Sequence, residues 1–206
     1  MMRTLVAAFA ALILSHSVHA NELQIAASKA LAAGEPAAVM KAMDKEIYRG
    51  NIAAAYQLGL IYHEGKLVTR DDAKARKFLK MAAERSDIRL WFKLGIADAQ
   101  YALGSMLRDG HGGKPDLAAA ASWFEMAAQQ GHTQAQLALA QIDFKTAGGK
   151  PNPERAFIWS SIAEKSLSDA AQKEAEQIRD AARRQLEPKR LASAEALIST
   201  WTPRTY

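Results

Sequence analysis

The sequence predicts an all-α protein, a solenoid of helix-turn-helix repeats. Three observations carry that prediction. The first is recurrence at a fixed spacing. Residues 97–136 read ADAQYALGSMLRDGHGGKPDLAAAASWFEMAAQQGHTQAQ. Moved back by 45 residues, Leu103-Gly104 falls on Leu58-Gly59, Gly110 on Gly65, Asp116 on Asp71, Trp123 on Phe78, and Met126-Ala127-Ala128 on Met81-Ala82-Ala83. Moved forward by 36, Leu103 falls on Leu139, Gly113 on Gly149, Pro115 on Pro151, Asp116 on Asn152 and Trp123 on Trp159. A period near 36 with helical punctuation is the signature of stacked helix pairs, each burying a face that it cannot bury alone. The second observation is composition: alanine is abundant, Gly and Pro are few, and 49% of the 206 residues are apolar. That is ample for a core and argues against wholesale disorder. The third is the lack of any Val/Ile/Thr-rich alternating run of the kind a half-buried strand needs.

In chain order, residues 1–20 read as a signal peptide. Met1-Met2-Arg3 is a short positive start, Leu5 to Leu14 an apolar run, and Val18-His19-Ala20 a small-residue cleavage pattern, with cleavage expected after Ala20. The apolar run falls well short of the roughly 20 residues a membrane-spanning helix needs, so the mature chain is expected to stay out of the membrane. Residues 21–50 read as an N-terminal helical pair, a cap or half repeat. Gly34 ends its first helix, Pro36 suits the first turn of the second, and Val39, Met43 and Ile47 give that helix one apolar face. Gly50-Asn51 then stops this helix and caps the next.

Residues 51–96 form repeat 1. Its first helix carries Ala54, Ala55, Leu58 and Gly59, a loop turns around Gly65, and its second helix starts near Asp71 with Ala75, Phe78, Leu79 and Ala82. Nine residues, 88–96, are extra to the period. Residues 97–131 form repeat 2. Small residues Ala99, Ala102 and Gly104 let a neighbouring helix approach, so that large aromatics opposite can fill the space. Gly110, Gly112 and Gly113 allow positive φ in the loop, Asp116 can cap the second helix, and Gly131 stops it. Residues 132–168 form repeat 3, in which Asn152-Pro153 is an N-cap followed by a proline at the first helical position. This copy departs from the pattern at Ala140 for Gly104, Thr146 for Gly110 and Ser160 for Phe124. Residues 169–206 read as degenerate capping helices, broken at Glu187-Pro188, with an apolar stripe of Leu191, Ala194, Leu197, Ile198 and Trp201. An atypical, charged end suits the terminus of a solenoid.

No catalytic constellation emerges, and the chain reads as a non-enzyme with no cofactor and no metal. There is no cysteine, which excludes disulfides and a thiolate nucleophile. His63, His111 and His132 share no metal-ligand spacing with carboxylates. Gly110-His111-Gly112-Gly113 resembles a phosphate loop only superficially: it lacks the preceding strand and the following Lys-Ser/Thr. No serine sits in a G-x-S-x-G turn. Asp71, Asp72, Asp116 and Glu125 read as caps and surface charges, and Phe78, Trp123, Phe124 and Trp159 as packing residues. The formal charge of +5 is too small and scattered to argue for nucleic acid.

Taken together, Ala99, Leu103-Gly104, Gly110, Gly112, Asp116, Ala120, Trp123-Phe124, Ala127-Ala128 and Gly131 resemble the Sel1-like repeat (SLR), a relative of the tetratricopeptide repeat. The resemblance covers about residues 36–166 and, weakly, the remainder. It implies a right-handed α-solenoid with the first helices of each pair lining a concave surface. It also implies a scaffold or adaptor that binds other proteins; exported bacterial members are associated with envelope signalling, surface assembly and host contact.

The functional expectation is therefore a non-catalytic interaction scaffold, periplasmic or secreted, acting as a monomer on protein partners. The extra segment 88–96 is the candidate partner-binding element, through Trp91, Phe92 and Leu94, because the repeat gives these apolar residues no structural duty. Packing on the solenoid's own core is the alternative for that segment. Two further readings stand beside the scaffold. One is a β-lactam-interacting or other envelope enzyme, since some cysteine-rich SLR proteins are linked with penicillin binding. The other is a cell-wall or membrane-surface binder using Arg183, Arg184, Lys189 and Arg190.

Overall fold

Several helices begin where a short polar side chain accepts a backbone N–H that lacks a helical partner. In the computed structural model, residues 36–65, 67–84, 93–145 and 150–204 are described, with the backbone alone for 93–96. Nine helices run through these residues: α1 Pro36–Tyr48, α2 Ile52–Glu64, α3 Asp72–Glu84, α4 Lys93–Asp109, α5 Leu117–Gln129, α6 Thr133–Lys145, α7 Pro153–Glu164, α8 Asp169–Arg183 and α9 Pro188–Thr200. No strand occurs among the described residues. The chain divides into two compact units, Met1–Arg85 and Ser86–Tyr206, so α1–α3 belong to the first and α4–α9 to the second.

Three hairpins, α2–α3, α4–α5 and α6–α7, share one closure. The backbone N–H of Asp71 donates to Tyr62 C=O at 2.9 Å, that of Asp116 to Leu107 at 2.9 Å, and that of Asn152 to Asp143 at 2.8 Å. The same three residues then cap the second helix of their pair. Asp71 Oδ1 accepts from Lys74 N–H at 2.9 Å, Asp116 Oδ1 from Ala119 at 2.9 Å, and Asn152 Oδ1 from Arg155 at 3.1 Å. One residue thus fixes both the return of the chain and the start of the next helix, which is why Asp or Asn recurs here and the intervening loop varies. Gly110 and Gly112 both take φ near +75°, whereas Gly113 does not; Gly113 donates its N–H to Gly110 C=O at 3.4 Å. At Gly110 a Cβ would also stand 2.8 Å from Pro115 Cγ, so this position needs glycine twice over.

Inside each hairpin, position 20 residues after the small residue carries its packing partner. At Gly59 a Cβ would meet Leu79 Cγ at 2.7 Å, and at Gly104 it would meet two ring carbons of Phe124 at 2.8 Å. Repeat 3 changes both members: Ala140 and Ser160 occupy these places, and both are fully buried. The Ser160 hydroxyl donates to Ala156 C=O at 2.6 Å, so the buried oxygen is satisfied by its own helix.

In the first unit α1 packs on α2 and α2 on α3. Val39, Met43, Leu58 and Ile61 form the core, and Tyr62 stacks on Phe78 with ring centroids 5.8 Å apart. In the second unit α4 packs on α5, α5 on α6, α6 on α7 and α7 on α8. Its core is mostly alanine around Phe124, Leu137, Leu139, Phe157, Trp159 and Ile162. Alanine-rich faces bring the helix axes close without loss of side-chain entropy. The last helix breaks the succession, because α9 packs chiefly on α7 rather than on its neighbour α8. The fold is an α-solenoid of consecutive helix pairs, with α9 turning back onto the array.

Candidate protein-interaction surface

The residues that could suggest chemistry are engaged in structure. In the first unit, His63 Nδ1 lies 2.8 Å from Asp72 Oδ1, and Arg70 makes a two-pronged bond to the same carboxylate, its Nη2 at 2.8 Å from Oδ2. Asp72, in the first turn of α3, is held below the usual carboxylate range by Arg70 foremost, with burial opposing and His63 assisting. Asp71 is likewise lowered, chiefly by the Lys74 N–H that it caps. The cluster ties the α2–α3 loop to the helix it precedes. A shallow open hollow nearby, between α1 and that loop, is lined by Met40, Lys41, Asp44, Leu67 and Val68.

In the second unit, His132 precedes α6 and serves it. Its Nδ1 accepts the Ala135 N–H at 3.2 Å, its Nε2 faces Asp98 Oδ1 at 3.3 Å, and its ring stacks on Tyr101 at 4.5 Å. His111 sits in the glycine-rich loop, half-buried. Among the described residues no group of His, Asp and Glu is placed to hold a metal ion.

Three features had no signature in the sequence. Arg155, at the start of α7, bridges two other helices: its Nη2 lies 2.6 Å from Glu125 Oε2 on α5 and its Nε 3.1 Å from Asp143 Oδ2 on α6. Asp143 is held above the usual carboxylate range, first by burial, with Arg155 opposing and Glu125 adding to the rise. Glutamines add further cross-links, Gln130 Nε2 donating to Gln100 Oε1 at 2.8 Å within repeat 2 and Gln136 Nε2 to Ala128 C=O at 3.1 Å between repeats 2 and 3. Arg155 and Glu125, like Gln130 and Gln100, stand 30 residues apart, which leaves no local spacing to read.

The third is the path after α9. Residues 201–204 run extended along the second unit. The Trp201 ring stands edge-on to Trp159, centroids 6.3 Å apart. Pro203 lies over Gly131, where a Cβ would come within 3.1 Å of its Cγ, and the Arg204 N–H donates to Gln129 C=O at 2.7 Å. Trp159 is buried, whereas Trp123, its equivalent one repeat earlier, is half-buried.

Of the residues proposed for partner binding, Trp91 and Phe92 lie outside the described residues, and Leu94 is placed only as backbone in the first turn of α4. Of the basic group, Arg183 lies 3.7 Å from Glu195 on α9, while Arg184, Lys189 and Arg190 are exposed around the α8–α9 turn. Among the described residues no helix is long and apolar enough to cross a membrane.

Repeated hairpins with shared caps, matched small–large pairs and an alanine core define a helical-repeat protein. The Sel1 repeat model matches residues 52–87, 97–132 and 133–165, about half of the chain. This protein belongs to the Sel1 repeat family, whose members generally act as protein-interaction scaffolds. The chain is 30% identical over 142 residues to the alginate biosynthesis protein AlgK of Pseudomonas syringae pv. tomato, which covers 69% of this chain and 27% of AlgK. It thus spans about a quarter of the length of that relative. It is also similar to the crystal structure of a Sel1 repeat protein from Oxalobacter formigenes, with a TM-score of 0.55 and 27% identity, covering 67% of this chain and 97% of that one.

Proposed function

We propose that this protein is a non-catalytic scaffold or adaptor in the bacterial cell envelope, reached through a signal peptide cleaved after Ala20, and that it binds protein partners through its solenoid surface. The observation that carries the reading is the employment of the repeat's signature residues. Gly104, Phe124, Gly110 and Asp116 pack, turn and cap, and the same roles recur at Gly59, Leu79, Gly65 and Asp71. A motif spent on stacking leaves the variable outer positions as the part that can differ between proteins of one repeat type. The likeness to AlgK, named for alginate biosynthesis, supports an assignment to assemblies that build or export surface material. Trp91, Phe92 and Leu94 remain the proposed partner contacts in the segment that breaks the period.

Two measurements test this. Cell fractionation with N-terminal sequencing is expected to find the mature chain starting at Asn21 outside the cytoplasm; an intact Met1 in the cytoplasmic fraction contradicts the localisation. Crosslinking followed by affinity purification from the envelope is expected to yield a defined partner that is lost on Trp91→Ala. Turnover of a β-lactam by the purified chain would contradict the non-catalytic reading, and salt-sensitive retention on cell-wall material dependent on Arg184, Lys189 and Arg190 would favour the surface-binder alternative.

A further inference from the structure

The segment after α9 has the form of a bound peptide. Trp201 has φ −66° and ψ 131°, close to the polyproline II conformation. From there the chain presents an aromatic ring to an aromatic ring, a proline to a glycine, and a backbone N–H to the free carbonyl near the end of a helix, at Trp159, Gly131 and Gln129 in turn. Aromatic-lined surfaces take extended proline-containing segments in this manner because the segment has little conformational entropy left to lose. The receiving site is well formed. Gly131 at φ +90° leaves a flat backbone patch on which the proline ring rests. Gln129 C=O lies in the last turn of α5, where carbonyls lack helical partners.

The element holding the segment in place is lightly attached by comparison. Of α9 only Ala194 is fully buried, Leu197 is 57% exposed, and Glu187 supplies no side-chain cap bond to the helix start. The α9 helix reaches the array across α7 rather than by pairing with α8. A weakly held helix ahead of a well-seated extended segment is the arrangement of an internal competitor.

We propose that Trp159, Gly131 and the Gln129 carbonyl form a docking site for an extended polypeptide segment of the type aromatic-x-Pro, and that residues 201–204 fill it in the resting chain. A partner protein carrying such a segment displaces the strap and takes its place. This rests on the scaffold reading and names one of its surfaces and the kind of segment it accepts. The apparent affinity of a partner is then lowered by the fraction of time the strap is seated; a strap seated about 90% of the time weakens binding about tenfold.

The test uses the full chain carrying Trp201→Ala and Pro203→Ala, with helicity checked by circular dichroism, and a fluorescent peptide of residues 199–204, Ser-Thr-Trp-Thr-Pro-Arg. Fluorescence anisotropy is expected to show the peptide binding the variant at least about tenfold more tightly than the unaltered chain, and a peptide with alanine in place of its Trp and Pro binding neither. No binding to the folded variant overturns the proposal, as does equal binding to both chains, which would place the peptide elsewhere. Should the double variant fail to fold, Pro203→Ala alone carries the same comparison with a smaller gain. Failure here leaves the crosslinking capture of a partner unaffected, so loss of this site and loss of the scaffold reading are distinguishable.

Discussion

Repeats 2 and 3 solve one packing problem with different residues. In repeat 2, Gly104 on α4 leaves room for the ring of Phe124 on α5; in repeat 3, Ala140 on α6 and Ser160 on α7 hold the same two places, and all these side chains are buried. The large–absent pair has become a small–small pair. What the solenoid preserves is therefore the filled space between two helices, a property of the pair, rather than either residue. Close packing makes this necessary, because an unfilled methyl-sized gap and an overfilled one both cost stability.

The difference can be broken most strongly at Phe124. Phe124→Ala is expected to cost about 3–5 kcal/mol through the cavity it leaves, read by urea denaturation. Ser160→Ala removes a hydroxyl that bonds only within its own helix and is expected to cost no more than about 1 kcal/mol. Equal costs would mean the two positions are not alternatives within one design. Next in size is Gly104→Ala, expected to cost about 1–3 kcal/mol by driving a methyl into the Phe124 ring. The reverse change in repeat 3, Ala140→Gly, relieves no clash and is expected to cost roughly 1 kcal/mol from helix propensity.

The caps sharpen the comparison, since here the repeats agree. Asp116→Ala and Asn152→Ala are each expected to cost about 1 kcal/mol, with similar shifts in the denaturation midpoint. A markedly larger cost at Asn152 would show that the Asp143–Arg155 bridge beside it depends on the cap.

The smallest effects concern pH. Asp72 has its folded pKa lowered, so its contribution to stability is complete above the unfolded value of about 3.9 and is lost as pH falls through the folded value. Asp143 has its folded pKa raised, so its contribution is complete below about 3.9 and is lost as pH rises through the folded value. Stability measured relative to Asp72→Asn should therefore fall with acidification. Stability relative to Asp143→Asn should rise. Slopes of the same sign would contradict the assignment of opposite causes, the Arg70 bonds in one case and burial in the other.

The hairpins were legible in the sequence because their determinants are local. A cap, a loop glycine and an apolar stripe act within a few residues, and Asp71, Asp116 and Asn152 stand where the period puts them. The departure at Ser160 was visible too, but its meaning required reading Ala140 with it, 20 residues earlier. Arg155 was not legible as a bridge, since Glu125 and Asp143 meet it only once α5, α6 and α7 are stacked. Nor was the return of α9. Leu191, Ala194, Ile198 and Trp201 announce an apolar stripe, yet nothing in that spacing says that the stripe faces α7 or that Trp201 reaches Trp159.

The central claim is that the repeat's glycine and aromatic positions are a packing pair and serve no separate chemistry. A double-mutant cycle at residues 104 and 124 tests it most directly. Gly104→Ala is expected to destabilise the unaltered chain by about 1–3 kcal/mol. In a Phe124→Ser background, which reproduces the Ala–Ser pair of repeat 3, it should become neutral or stabilising by up to about 1 kcal/mol, as Ala favours a helix over Gly. Equal costs in the two backgrounds would show the positions to be independent, and the account of this solenoid as a series of matched pairs would be contradicted.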